Sequence, residues 1–186
     1  MGAVTATTGS FRLGPDNGRI VLKTGRAGLA ARAGHDLTIE VTRWSAQVEV
    51  PATGEAAATV SAELDLGSLE VREGSGGAKP LSDRDRNDIR KTMTGILGSG
   101  NATFRSTRVV PAGAGGGIEG TLTLNGQSQP VRLQVSEPGP GHYRAAASVV
   151  QSAFGIKPYV GFFGALKLKD EVAVEVDVTL PAPESA

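Results

Sequence analysis

The sequence contains no cysteine, so neither disulfide bonds nor thiol chemistry can contribute to its fold or function. Its two histidines are too few for a three-histidine zinc site, and no cluster of carboxylates stands near them to complete one. Lys plus Arg and Asp plus Glu number 19 each, so no net charge attracts nucleic acid or anionic lipid. We therefore expect no metal, no cofactor and no nucleic-acid partner.

Long hydrophobic runs are also missing. No apolar stretch approaches the length of a transmembrane helix. The first 18 residues lack the charged region followed by an apolar region that defines a signal peptide. These absences predict a soluble protein of the cytoplasm without an integral membrane segment.

The length and composition favour one β-rich domain. A chain of 186 residues is long enough for a single domain with its own core. Glycine is abundant, with 26 residues, which is typical of many tight turns between strands. We predict a flexible N-terminus over residues 1–17, a β-barrel domain over 18–180 and a flexible C-terminus over 181–186.

A single helix is predicted over about residues 82–97. Ser82 can cap its first turn, and Asp85 completes the capping box three residues later. Four apolar residues recur at helical spacing and predict one buried face: Ile89, Met93, Ile96 and Leu97. Four basic residues are balanced by nearby aspartates and predict a solvated face: Arg84, Arg86, Arg90 and Lys91. In a β-rich chain, such a helix is expected to cover an opening or an edge.

Most of the remaining segments alternate apolar and polar residues, which is the period of a half-buried strand. Residues 37–50 contain a phase shift, because Leu37 and Ile39 have one parity while Trp44 and Val48 have the other. A bulge or bend is therefore predicted between Thr42 and Trp44. Residues 67–81 are predicted to be an irregular link into the helix.

Two later segments show the strand pattern most clearly. Asn125-Gly126 lies between two alternating runs and predicts a tight hairpin. Residues 172–180 place four valines and a leucine on one face. We count about eight one-sided strands, which predict a closed, antiparallel, eight-stranded barrel of the lipocalin-like kind with the helix over an opening or edge.

Three segments in order resemble the YceI-like family. The first runs from the helix into a strand and contains Ser82-Asp83, Asp85-Arg86, Ile89, Thr92-Met93, Leu97, Phe104, Ser106-Thr107 and Val109. The second is GTLTLNGQSQPV, residues 120–131, where Asn125 stands in place of a frequent family histidine. The third is FGIKP, residues 154–158, followed by GAL, residues 164–166. The resemblance covers about residues 19–180.

The resemblance implies a lipocalin-like barrel that binds a long isoprenoid chain in its lumen. The function expected is therefore binding, sequestration or transport of an apolar lipid such as a polyprenyl chain or quinone. The predicted lumen face carries no ionisable group and consists of Leu37, Ile39, Val60, Leu64, Leu122, Leu124, Val131, Leu133, Val174 and Val176. The predicted mouth or head-group residues are Lys157, Phe154, Tyr159, Phe162 and Phe163. Many family members are periplasmic, whereas this sequence shows no export signal.

Two other functions remain open from the residues. The same apolar faces could fill the core of a barrel that acts as a protein-interaction module with no ligand. An enzyme would have to use His35 or Lys157, and no nucleophile, base and orienting group can be assembled around either. We therefore do not expect an enzyme. A strand edge or the loop 159–163 could support a homodimer.

Overall fold

The computed structural model describes residues 7–161 and 164–185. Within these residues, fourteen strands and one α-helix follow each other along the chain. They are β1 (Gly9–Leu13), β2 (Gly18–Lys23), β3 (Arg26–Ala27), β4 (Asp36–Val41), β5 (Trp44–Val50), β6 (Thr59–Asp65), β7 (Leu69–Ser75), α1 (Asp83–Leu97), β8 (Asn101–Pro111), β9 (Gly115–Leu124), β10 (Gln127–Gly139), β11 (His142–Val150), β12 (Val160–Gly161), β13 (Leu166–Leu168) and β14 (Glu171–Thr179). Short 3-10 turns lie at Ala31–Ala33, Glu55–Ala57, Leu66–Ser68 and Gln151–Phe154.

The main sheet is antiparallel and contains eleven strands in the order β1-β5-β6-β8-β9-β10-β11-β14-β2-β4-β7. Its two ends are close together, because only Thr42 and Arg43 join β4 to β5. β4 pairs with β2 and β7, whereas β5 pairs with β1 and β6. The sheet is therefore strongly curled around an interior, as the barrel prediction required. The predicted closure of the barrel is not found, because the hydrogen-bonded order of the described residues has two end strands, β1 and β7.

The predicted count of eight strands was wrong. Three extended stretches are each interrupted and divide into two strands: β1 and β2 at residues 14–17, β4 and β5 at Thr42-Arg43, and β6 and β7 at Leu66–Ser68. The interruptions change the direction of the backbone, and this bending allows a sheet to curl instead of remaining flat.

The predicted bend between Thr42 and Trp44 is confirmed, and a buried serine holds it. The Thr42 hydroxyl donates to the carbonyl O of Ser68 at 2.7 Å. The Ser68 hydroxyl O accepts from the backbone N–H of Arg43 at 2.9 Å. Ser68 is only 3% exposed. The bend between β4 and β5 is thus held by hydrogen bonds to the 3-10 turn between β6 and β7.

The capping box of α1 is confirmed. The Asp85 backbone N–H donates to the Ser82 hydroxyl at 3.2 Å, and the Ser82 backbone N–H donates to the Asp85 carboxylate at 2.9 Å. The helix ends at Gly98, which has a positive φ of 72°. These interactions are local, so the sequence was sufficient to predict them.

The buried face of α1 differs from the predicted one. Ile89, Met93 and Leu97 pack against the main hydrophobic cluster, whereas Ile96 is 39% exposed. Arg86 was placed on the solvated face but is half-buried, and its Nε is buried with no hydrogen-bond partner among the described residues. The reason is geometric, because residues 86, 89, 93 and 97 form one stripe of a 3.6-residue helix.

Residues 67–81 and 1–17 also depart from the predictions. The supposed link contains β7, in which Leu69 and Val71 are buried. The supposed flexible N-terminus contains β1, in which Phe11 is 1% exposed. In β7 only Leu69 and Val71 are buried in alternation, and β1 has only five residues, so the strand pattern in each segment is weak.

The C-terminal residues lie beside β1. The Glu184 backbone N–H donates to the carbonyl O of Ser10 at 2.7 Å. Residues 184 and 10 are therefore part of the same folded edge. α1 is too short to cross a membrane, and no other helix in residues 7–161 and 164–185 meets that requirement. The homodimer stays a prediction.

Candidate functional site: an internal apolar cavity

A cavity of about 610 Å³ lies inside the curled main sheet. Every strand of the main sheet contributes at least one residue to the cavity wall, although β4 contributes only Val41 and β7 only Leu69. The wall is overwhelmingly aliphatic. Among its wall residues are Leu13, Ile20, Val41, Trp44, Val48, Ala62, Leu69, Phe104, Ile118, Val135, Ala147 and Val178. A volume of this size is in the range of about 300–1,000 Å³ that is typical of ligand pockets.

Eight of the ten predicted lumen residues line this cavity. They are Val60, Leu64, Leu122, Leu124, Val131, Leu133, Val174 and Val176. Each was assigned from strict alternation along a strand, and alternation decides which face of a sheet a side chain occupies. Their assignment as ligand-binding residues stays a prediction, because their position shows only that they face the cavity.

Leu37 and Ile39 do not line the cavity, which corrects their predicted place. Both are buried in the main hydrophobic cluster, against which α1 also packs through Ile89 and Met93. The bend at residues 42–43 separates β4 from β5. Leu37 and Ile39 therefore belong to the cluster against which the helix packs, whereas Val41 at the end of β4 and the β5 residues Trp44 and Val48 line the cavity.

The predicted head-group residues lie elsewhere. Phe154 is 1% exposed and packs with Val149 and Ile156 in a small buried cluster. Lys157 is exposed and does not line the cavity, and Tyr159 is on the surface. Phe162 and Phe163 lie outside the described residues. At this turn Gln151 lines the cavity, whereas Phe154, Lys157 and Tyr159 do not.

The end of the cavity near α1 is lined mainly by apolar side chains, with Gln151 beside them. Leu97 of the helix reaches the wall there, together with Leu124, Val149 and Ile156. Leu97, Leu122 and Leu124 also pack against the buried Val149, Phe154 and Ile156. The helix therefore covers one end of the curled sheet, as predicted.

The opposite end of the cavity is polar. Tyr143 at the start of β11, Glu137 near the end of β10 and Glu55 in the 3-10 turn before β6 all line it. Glu55 is exposed, so this end reaches the protein surface. The expectation of a lumen without ionisable groups was therefore incomplete.

A sequence signal for Glu137 existed. Val131, Leu133 and Val135 alternate on the inward face of β10, and Glu137 is the next residue of that parity. Tyr143 has the same parity as Ala145 and Ala147, which line the cavity. The apolar residues of this alternation end at Val135, so a search for apolar alternation alone does not reveal the polar end.

His35, one of the two residues that an enzyme would have to use, forms no catalytic pair with the neighbouring Asp36. His35 Nε2 lies 2.7 Å from the carbonyl O of Lys79, whereas the Asp36 carboxylate accepts from Arg26 Nε at 3.1 Å. The two neighbours therefore have separate partners. Across the described part of the chain, no group of three or more His, Cys, Asp or Glu side chains could hold a metal ion.

The fold and this site define a class of protein: a curled antiparallel sheet around an apolar internal cavity, with one end covered by a helix. Residues 11–180 match the model of the YceI-like domain. The chain therefore belongs to the YceI-like domain family. Comparison with curated protein sequences gives no match.

Three solved structures have a similar fold. BcnA of Burkholderia cenocepacia is 18% identical, with a TM-score of 0.57 over 86% of this chain and 94% of that chain. A polyisoprenoid binding domain from Saccharophagus degradans, implicated in plant cell wall breakdown, is 11% identical, with a TM-score of 0.56 over 95% of this chain and 100% of that chain. The YceI protein of Campylobacter jejuni is 13% identical, with a TM-score of 0.52 over 80% and 85%. Identities this low show a shared fold.

Proposed function

We propose that the protein binds an apolar chain of the isoprenoid type in this cavity, and that it sequesters or carries that lipid. The observation that carries the proposal is a cavity of about 610 Å³ with a nearly continuous aliphatic wall. Burial of an apolar chain there is favourable by roughly 25 cal/mol for each Å² removed from water. The name of the Saccharophagus degradans domain, a polyisoprenoid binding domain, supports the same ligand class.

The alternative of a filled core has less support. Protein interiors are packed as densely as organic crystals, and voids much larger than a water molecule are few. If the interior served only to stabilise the fold, we would expect side chains to fill this volume. An apolar ligand in the cavity would fill this volume and bury the inward-facing apolar side chains.

Organic extraction of protein purified without detergent tests the proposal. We expect a prenyl or acyl species in the extract by mass spectrometry. The delipidated protein is then titrated with farnesene, a hydrocarbon without a head group. Trp44 lines the cavity and is the single tryptophan of the sequence, so its emission reports occupancy.

The two readouts decide the proposal together. A saturable change in Trp44 emission with farnesene supports an apolar-chain site. An extract without prenyl or acyl species, combined with no emission change, would contradict the proposal and favour the ligand-free interaction module.

A further inference from the structure

The polar end of the cavity has a defined donor and acceptor pattern. Tyr143, Glu137, Glu55 and Thr7 all line this end. Glu137 Oε1 accepts from the backbone N–H of Gly141 at 3.0 Å. The carboxylate is thus held by the backbone of the turn that joins β10 to β11.

The β10–β11 connection places these groups. The pairing of the two strands shifts register between Ser136 and Gly139. Glu137 lies inside this irregular stretch, and Tyr143 lies opposite it on β11, between the paired Arg144 and His142. The irregularity therefore holds a carboxylate and a phenol together at the rim of an otherwise apolar wall.

The Tyr143 hydroxyl keeps its proton. Burial, and then the negative charges of Glu137 and Glu55, raises the pKa of Tyr143 above its usual value. The oxygen of a neutral phenol can accept a hydrogen bond, and Tyr143 lines the cavity. The carboxylates of Glu137 and Glu55 are acceptors as well.

No positive charge balances the two carboxylates within the wall. Among residues 7–161 and 164–185, no Lys, Arg or His lines the cavity. The sequence also has none of these residue types at positions 1–6, 162, 163 and 186. An anionic head group would lie beside two carboxylates without a counter-charge, and such like-charge contacts in a partly desolvated site are unfavourable.

We infer that the cavity selects an apolar chain whose polar end is a hydrogen-bond donor, an alcohol or an amine, and that it discriminates against phosphorylated chains. The polar end of the ligand donates to Tyr143, Glu137 and Glu55 at the rim, while the apolar chain lies along the aliphatic wall. This inference rests on the proposed function and adds the chemistry of the head group to it.

Three ligands with the same fifteen-carbon chain test the inference: farnesol, farnesylamine and farnesyl diphosphate. Affinities for the delipidated full chain are measured at pH 7 by calorimetry and by Trp44 emission. We expect farnesol and farnesylamine to bind at least about ten-fold more tightly than farnesyl diphosphate, which is the ratio that one charge-assisted hydrogen bond gives.

Two charge-neutralising variants identify the residues. E137Q and E55Q are each expected to reduce the preference for farnesylamine over farnesyl diphosphate by about ten-fold. E55Q provides the readout if E137Q alters the β10–β11 connection, because Glu55 lies in an exposed turn. The matched control is E175Q, which removes the same charge from the outer face of β14 and is expected to leave the preference unchanged.

The outcomes separate the two proposals. Farnesyl diphosphate that binds as tightly as farnesol, while farnesene also binds, overturns the head-group inference and leaves the proposed function standing. An equal effect of E175Q and the two rim variants overturns it in the same way. If neither farnesene nor any of the three ligands binds, the proposed function fails, and the head-group inference fails with it.

Discussion

The side-chain amide of Asn125 donates a hydrogen bond of 3.0 Å to the carbonyl O of Phe154. The bond joins the β9–β10 turn to the 3-10 turn that follows β11, at the end of the cavity near α1. Asn125 also has a positive φ of 53°, the only such value among the non-glycine residues that the structure describes. Asn125 therefore both adopts the backbone conformation of the tight turn and links that turn to the 3-10 turn.

We expect N125G and N125A to differ in stability. N125G keeps the turn conformation but loses the bond, which should lower the free energy of unfolding by about 0.5–1.5 kcal/mol. N125A loses the bond and in addition forces a Cβ residue into the left-handed region, at a further cost of about 1–2 kcal/mol. Urea denaturation measures both. Equal losses for the two variants would show that the turn conformation contributes nothing.

An indole added inside the cavity should displace ligand without unfolding the protein. Leu133 lines the cavity from the middle of β10 and belongs to neither hydrophobic cluster. L133W is therefore expected to bind farnesene at least ten-fold more weakly, with a melting temperature close to that of the wild type. In a filled core, the added bulk would instead cost about 1–3 kcal/mol of stability.

Q134W is the matched control for that experiment, because Gln134 is on the same strand and exposed. It adds the same side chain on the outer face and should leave binding unchanged. If L133W is strongly destabilised while its farnesene affinity equals that of Q134W, the cavity is not the binding site.

The stability of the β2–β4–β7 region should depend on pH through Glu40. Burial raises the pKa of Glu40, but hydrogen bonds and charge from Arg72 and Arg19 outweigh it and leave the pKa below its usual value. The folded-state pKa is thus lower than the unfolded-state pKa. The stabilisation is present above the usual glutamate pKa and is lost as the pH falls through the lowered value.

E40Q measures this contribution. At pH 7, we expect E40Q to be less stable than the wild type by about 1 kcal/mol, as for a well-formed ion pair near the surface. As the pH falls below about 4, the difference should shrink toward zero, because the wild-type carboxylate becomes protonated. Urea denaturation at several pH values gives the difference directly. A difference that stays constant from pH 7 to pH 3 would exclude the ion pairs as its source.

Features that depend only on residues close together in the chain could be predicted from the sequence alone. The capping box of Ser82 and Asp85 closes within four residues. The Asn125-Gly126 turn needs only two residues that tolerate positive φ. The bend near Thr42 follows from a change of parity along one strand. Each is a local hydrogen bond, a local backbone preference or a local period, so no distant partner is needed to establish it.

The surroundings of each inward-facing side chain could be established only from the tertiary structure. Leu37 has the same alternation pattern as Leu133, yet it lies in the cluster beneath α1 and Leu133 lies on the cavity wall. Arg86 reads as a solvated residue until the helix is placed on the sheet. Glu137 and Tyr143 meet only where β10 and β11 shift register. The sequence determines which face of a strand each side chain occupies. What covers that face, and whether space remains there, depends on how distant strands bend and end against one another, and this depends on long-range packing that no local period contains.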